Sequence, residues 1–498
     1  MSTTDPRTVT CRISAGELAG TAADGVARYL GVPYAAAPFG PRRFAAPEPV
    51  TPWHGTRDAT DYGATAPQAP YPGALNALLP TVTIPGEDIL HVNLWAPQDR
   101  ADGGWPVLVW FHGGSFTHGA NAMRLYDGTA FARRGLVVVS VNYRLGAEGF
   151  SVLDGAPANL GLADQAAALR WVHEEIAAFG GNPGQVTVVG ESAGGNTVAA
   201  LMTSPRAKGM LHRAVVQSGP LVAVPLDQAG KVTNRMAKHL GIATTREAFA
   251  RVPPAALLAA QEKVTAGSTL FSGAVGFAIA LDGDLVPQTP ADAFHAGVAD
   301  EVPLLTGTTT EEYRLWFVPN GTVDRVNRLY LMLARLKYRL PASVVRTYRR
   351  GLPQATPGEV LGALATDLLL RVPMMAAADS RADRAATTWV YEYAWPSPVA
   401  RLRAAHSTEI PFVFDTLHTT DARALVGADA PTRLAATMNQ AWALFARGEN
   451  PGWPAWDATR PVRRFDTGGD DVVHAPREAE RAALQAALEA SARRRRKR

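Results

Sequence analysis

The sequence predicts an α/β fold, a mostly parallel central β-sheet flanked by helices, and it does so through three features. Val107 to Phe111, Leu136 to Tyr143 and Val186 to Val189 are short apolar segments rich in β-branched residues, and each stops at glycine or polar residues, as buried strands do. Between the second and third, Leu162, Ala166, Leu169, Val172, Ile176 and Phe179 recur at steps of three and four, which is the apolar stripe of a helix; Gly180, Gly181 and Pro183 end it. Strand, helix and strand at this spacing form a βαβ unit, whose right-handed crossover sets the two strands parallel.

Ala214 to Val216, Pro303 to Leu305 and Thr388 to Tyr393 read as further strands of the same sheet. Roughly residues 225–380 hold helix-like stretches with no evident place on it and are expected as helical cap or wall insertions. No internal repeat or long low-complexity linker divides the chain, so residues 1–490 are expected to form a single domain, with soft spots at 64–86, 467–477 and the C-terminal end.

Composition narrows the class. The 498 residues are 47% hydrophobic and 19% charged, with 45 Gly and 37 Pro, which suits a turn-rich globular protein and excludes disordered, collagen-like and coiled-coil chains. The formal charge of +4 becomes −2 once the six terminal cations Arg493 to Arg498 are set aside, so the high pI belongs to the tail. Residues 491–498 are expected to be a frayed, solvated basic end, and no nucleic-acid partner is expected.

Cys11 is the only cysteine, so neither an intrachain disulfide nor a cysteine zinc site can form. The N-terminus has no basic segment followed by an apolar stretch, so no secretory signal is read there. No uninterrupted apolar run approaches the roughly 20 residues that span a bilayer, and a cytoplasmic location is the expectation. Oligomeric state has no signature in the sequence.

The chemistry begins directly after the strand Val186 to Val189, at Gly190-Glu191-Ser192-Ala193-Gly194, followed by a helical stretch from Asn196 to Ser204. A serine on a sharp strand-to-helix turn projects from the top of a sheet, and flanking glycines leave room where side chains would collide. As a bare pattern GxSxG is weak in a glycine-rich chain; its position between strand and helix strengthens it.

Upstream, the strand Val107 to Phe111 runs into His112-Gly113-Gly114-Ser115-Phe116. Gly113 and Gly114 leave backbone N–H groups unshielded, and with the N–H of Ala193 these would form an oxyanion hole. A glycine pair some 80 residues before a serine elbow is the order of the α/β-hydrolase arrangement, which then requires an acid and finally a histidine.

Only His406, His418 and His474 lie in the C-terminal part. His418 lacks an apolar frame and His474 sits in a polar stretch, whereas His406 precedes the apolar run after Glu409, so His406 is the candidate general base. For the acid, the strand Pro303 to Leu305 leads to Glu311 and Glu312, and the physics of the sequence does not separate them.

Taken together, these residues resemble the type-B carboxylesterase and cholinesterase family, over most of the chain. Gly31-Val32-Pro33-Tyr34-Ala35, Gly40 to Phe44, and Pro52-Trp53-His54-Gly55 are similar to its N-terminal segment, and Glu87 to Asn93 to its next block. Val141 to Gly146, Gly161 to Gln165, Phe179 through the elbow, Ser204-Pro205, Ala207-Lys208-Gly209 and Gln217-Ser218-Gly219 continue the likeness.

The resemblance implies Ser192, Glu312 and His406 as catalytic triad, since the family glutamate stands five residues after Gly307, and it leaves Glu311 at a position usually held by aspartate. It also implies that Arg43 with Glu87, and Arg144 with Asp164, are structural ion pairs. Ala66 and Ile89 replace two family cysteines, which fits a reducing setting, and Tyr313 stands where the family usually has glycine. No aromatic choline site is readable in residues 68–83, so choline-ester hydrolysis is not implied.

The expectation is therefore a cofactor-independent serine carboxylesterase, with no metal, acting on a small-molecule ester and water. The same triad would also serve amide, carbamate, lactone or thioester cleavage, and a non-catalytic binding protein of the same fold is the remaining alternative. Phe116, Phe271, Phe277, Trp316, Phe317 and Met374 are candidates for an apolar pocket wall, each equally readable as core packing.

Overall fold

The computed structural model describes residues 7–268, 276–468 and 471–496. Its strands are β1 (Arg7–Ile13), β2 (Gly16–Ala23), β3 (Val26–Pro33), β4 (Thr56–Asp58), β5 (His91–Pro97), β6 (Trp105–Phe111), β7 (Val137–Val141), β8 (Gly181–Glu191), β9 (Arg213–Gln217), β10 (Val224–Pro225), β11 (Ala280–Leu281), β12 (Leu304–Thr309), β13 (Thr388–Tyr393), β14 (Pro461–Phe465) and β15 (Val472–His474). Thirteen of them make one sheet, ordered β1-β2-β3-β5-β7-β6-β8-β9-β12-β13-β14-β15, with β4 paired to β2 beside that path. The stretch from β7 through β14 is parallel throughout, and antiparallel strands complete both ends. The short β10 and β11 pair separately. This is the α/β-hydrolase architecture that the sequence predicts.

The apolar runs are uninterrupted because both faces of the sheet are covered. Along β6, Val107, Val109 and Phe111 enter the core cluster on one face while Leu108 and Trp110 enter the cluster on the other. β7 alternates in the same way, with Val137, Val139 and Val141 on the first face and Val138 on the second. The crossover helix Leu160–Glu175 continues as a 3-10 turn to Phe179 and ends at Gly180, whose φ of 80° is the left-handed conformation that glycine adopts without strain. It delivers the chain to β8, which lies parallel to β7 with β6 between them.

The 225–380 region divides in two. Helices Leu226–Leu240 and Pro254–Thr265 pack onto the large core through Val232, Met236 and Leu257. Helices Arg328–Lys337 and Ala342–Gly351, the long helix Pro357–Arg381 and the C-terminal helix Glu478–Arg496 share a satellite core with Leu331, Val344, Tyr348, Val360 and Leu484. Pro357–Arg381 is long and apolar enough to cross a membrane by length and composition, but its most apolar window is 67% buried within the protein.

Four expectations need correction or placement. The C-terminal helix carries regular backbone to Arg496, through most of the segment expected to fray. The polar stretch around His474 is tied down as β15, antiparallel to β14. Arg43 does not pair with Glu87, which is exposed; its guanidinium is buried against Glu148, with Nε 3.0 Å from both carboxylate oxygens. Phe271 lies outside the described residues.

Candidate active site

The parallel strands end on one edge, and register decides which loops meet there. Phe111 of β6 stands opposite Gly190 of β8, and Glu191 opposite Gln217 of β9, so the His112-Gly113-Gly114 loop lies beside the serine elbow. Ser192 holds φ 57° and ψ −120°, a strained conformation for a residue with a side chain, and the helix Ala193–Met202 starts immediately after it. A side chain at 194 would put its Cβ 2.0 Å from the carbonyl oxygen of Phe111, so only glycine lets the elbow approach β6 this closely.

Gly113 packs equally tightly. A Cβ there would fall 2.8 Å from both the backbone oxygen and the Oε2 of Glu191, and 3.1 Å from Cβ of Ser192. The Gly113 backbone therefore lies against the serine, with Gly114 next along the loop, and the N–H of Ala193, in the first turn of its helix, has no intrahelical acceptor. These three N–H groups can serve an anionic oxygen at this position.

Structure separates the two acids that the residues alone leave open. Glu311 is partly exposed and paired with Arg314 at 2.7 Å and Arg403 at 3.0 Å, which makes it an ion-pair residue. Glu312 is fully buried. Its Oε1 accepts from the Ser218 hydroxyl at 2.6 Å and from the Thr309 N–H at 2.8 Å, while Oε2 is hydrogen-bonded to Nδ1 of His406. With Nδ1 so engaged, the tautomer and tilt of His406 are fixed and Nε2 is the atom turned to other work.

Tyr313, the departure after Glu312, is accommodated by Gly362 of the long helix, where a Cβ would stand 2.1 Å from the tyrosine ring. His418 and His474 are exposed and take no part in the site.

Two acidic residues at the site carried no individual signal in the sequence. Glu191 is buried beside Ser192, accepts from the Ser407 hydroxyl at 2.9 Å, and places Oε1 3.0 Å from Nε2 of His406. Nε2 therefore faces the Glu191 carboxylate, and no hydrogen bond joins it to Ser192 in this structure. Glu409 is buried behind the histidine, with neither carboxylate oxygen hydrogen-bonded.

The electrostatics follow from this packing. Burial disfavours a charged His406, but Glu191 and Glu312 on either side outweigh it and hold the imidazole pKa well above the ordinary value. Burial, reinforced by Glu191 and Glu312, raises the Glu409 pKa well above its ordinary value. Burial pushes His112 down to about 4, leaving it uncharged behind the glycine loop.

The cavity over Gly113, Gly114 and Glu191 is walled by Tyr71, Leu79, Val82, Met123 and Ile410. Of the aromatic candidates, Trp316 stands against the His406 imidazole, ring centres 4.7 Å apart. Phe116 and Phe277 are buried in the large core, Phe317 packs on Tyr313, and Met374 belongs to a separate cluster under β13. Apart from Ile410, the wall comes instead from residues 68–82 and 119–126, irregular segments whose placement depends on tertiary packing such as the paired hydrogen bonds between Gln68 and Gly119.

Residues 7–467 match the sequence pattern of the Carboxylesterase family. The chain is 37% identical to the para-nitrobenzyl esterase of Bacillus subtilis (strain 168) over 467 residues, covering 91% of this chain and 94% of that one. It is 33% identical to the phenmedipham hydrolase of Pseudarthrobacter oxydans over 468 residues, 90% and 93% of the two chains. Among solved structures it superposes on a carboxylesterase of Geobacillus stearothermophilus with a TM-score of 0.85 at 34% identity, covering 95% of this chain and 99% of that one. A fold shared along nearly the whole length, with a serine elbow, a glycine loop and a buried glutamate–histidine pair on one sheet edge, leads to one conclusion: the chain belongs to the carboxylesterase family and is a carboxylic ester hydrolase.

Proposed function

We propose that Ser192, His406 and Glu312 act as nucleophile, general base and orienting acid in the hydrolysis of small-molecule carboxylic esters. The observation that carries this reading is the buried Glu312 carboxylate: held by Ser218 and Thr309, it engages Nδ1 of His406 and so leaves Nε2, which faces Glu191 next to Ser192, as the nitrogen for proton transfer. In the proposed reaction Nε2 takes the Ser192 proton as Oγ attacks the ester carbonyl carbon, and the N–H groups of Gly113, Gly114 and Ala193 stabilise the resulting oxyanion. Collapse expels the alcohol with the proton from Nε2, and water, deprotonated by the same nitrogen, then releases the acid from Ser192.

The apolar side chains of Tyr71, Leu79, Val82 and Met123 around the small cavity over Gly113 and Gly114 support an apolar rather than a charged group on one side of the ester. The name of the B. subtilis relative makes a nitrobenzyl ester a reasonable probe. Ser192→Ala should lower turnover of such a chromogenic ester by several orders of magnitude, about 10⁶-fold where a serine nucleophile carries all the chemistry. Near-normal turnover in that variant would refute the assignment. We also propose a reducing, cytoplasmic setting, supported by the lone Cys11, whose thiol burial pushes up to about 11 and so keeps it in the unreactive form.

A further inference from the structure

The exposed apolar surface is concentrated in one place. Nine large hydrophobic residues are exposed among the described residues, and six of them, Leu329, Tyr330, Met332, Leu333, Leu336 and Tyr338, fall within ten positions. The helix Arg328–Lys337 carries most of them. Leu329, Met332, Leu333 and Leu336 follow the spacing i, i+3, i+4, i+7, so they form one stripe, and they are 59%, 45%, 53% and 53% exposed. Leu331 points the other way, 6% exposed, and anchors the helix to the satellite core. An amphipathic helix normally buries such a stripe; here a second stripe faces outward.

Its electrostatic frame is one-sided. Between residues 325 and 350 the chain carries eight Arg or Lys and no Asp or Glu. Arg328 and Arg335 flank the stripe on one side of the helical wheel and Lys337 on the other. A groove of about 390 Å³ between this helix and Ala342–Gly351 is lined by Arg328, Arg335, Arg346 and Arg349 without a carboxylate. Among the described residues no ion pair neutralises these four arginines, whereas the neighbouring Asp324 is already paired with Arg401. The helix Glu478–Arg496, which leads into the basic C-terminal run, joins the same satellite core.

We propose that the helix Arg328–Lys337 docks this protein onto an anionic lipid surface, its leucine stripe entering the acyl boundary and the arginine groove receiving headgroup phosphates. An apolar ridge bordered by cations is the form that interfacial helices take, and it suits a deformable layer rather than a shaped protein groove. Charge complementarity also argues against a second copy of the chain: a two-fold contact through this ridge would bring two uncompensated cationic rims together.

The test is co-sedimentation of the full chain with phosphatidylcholine vesicles, with and without roughly 30% phosphatidylglycerol, at about 0.1 M salt. Binding is expected only to the anionic vesicles, and it should weaken as salt rises. Leu333→Ser with Leu336→Ser, and separately Arg328→Glu with Arg335→Glu, should each reduce partition by about tenfold or more. Hydrolysis of a water-soluble ester should be unchanged in both, which certifies the fold. Three results would overturn the proposal: no anionic-vesicle binding by the unmodified chain, binding that survives the leucine changes but is lost on removing residues 493–498, or self-association in sedimentation velocity that the leucine changes abolish without vesicle binding.

Discussion

Oε1 of Glu191 stands 3.0 Å from Nε2 of His406, so the residue preceding Ser192 faces the nitrogen that would accept the serine proton. Two carboxylates thus bracket one imidazole, and the ring stays protonated to higher pH than an ordinary histidine. Only the neutral ring can act as base. The acid limb of kcat/KM is therefore expected above the ordinary histidine value of about 6.5, with activity falling as pH drops through it. Glu191→Gln removes one of the two charges and should move that limb to lower pH. A pH profile unchanged by this substitution would show that Glu191 does not act on the ring.

Glu409 makes the complementary case. Burial and the neighbouring carboxylates favour its neutral form, so Glu409→Gln, of similar shape, is expected to leave kcat/KM within about threefold and the pH profile in place. Glu409→Ala opens a cavity behind the histidine and should lower the melting temperature. A large shift of the acid limb in Glu409→Gln would mean that this carboxyl is ionised.

Ser218 tests the support of the acid. Its hydroxyl donates to the Glu312 side chain at 2.6 Å, and Ser218 does not line the cavity over Gly113 and Gly114. Ser218→Ala should reduce kcat about tenfold, corresponding to about 1.5 kcal/mol, with KM nearly unchanged. An effect confined to KM would contradict a role in holding the acid.

Legibility in the sequence is greatest where chemistry and local pattern coincide. β6, β7 and β8 are legible because burial on both faces writes an apolar run, and the Thr388–Tyr393 strand has in the structure the bounds that its residues predict. Ser192 and the glycine pair are legible because a sharp elbow and an open backbone demand particular residues. Glu312 needs family likeness, since only the fold reveals that it is buried while Glu311 reaches Arg314 and Arg403. The cavity wall is not legible, because residues 68–82 and 119–126 acquire their role by packing onto each other and carry no period.

The partner of Arg43 escapes the sequence for a related reason: the likeness suggests Glu87, but the short helix Gly146–Phe150 carries Glu148 to the buried guanidinium. Glu148→Ala should cost about 3–5 kcal/mol of stability, because it leaves Arg43 buried without a countercharge. Glu87→Ala, at an exposed position, should stay within about 0.5 kcal/mol. Paired denaturant titrations compare the two, and equal losses would restore the original pairing.

Adding a methyl group at Gly113 should be severe despite its small size. The new Cβ would press on the Glu191 backbone and displace the loop that flanks Ser192. Gly113→Ala is expected to lose about 10²–10³ in kcat, comparable to removal of one oxyanion donor, while the protein still folds as judged by circular dichroism. Retention of most of the activity would place the anionic oxygen elsewhere.

The seating of Tyr313 over Gly362 reaches beyond local fit. It makes the long helix a floor beneath the residue that follows Glu312, so the outlying helices pack directly against the buried glutamate–histidine pair's neighbour. A Cβ at 362 would meet the Tyr313 ring at 2.1 Å, so a larger residue there must push on the side chain adjoining Glu312.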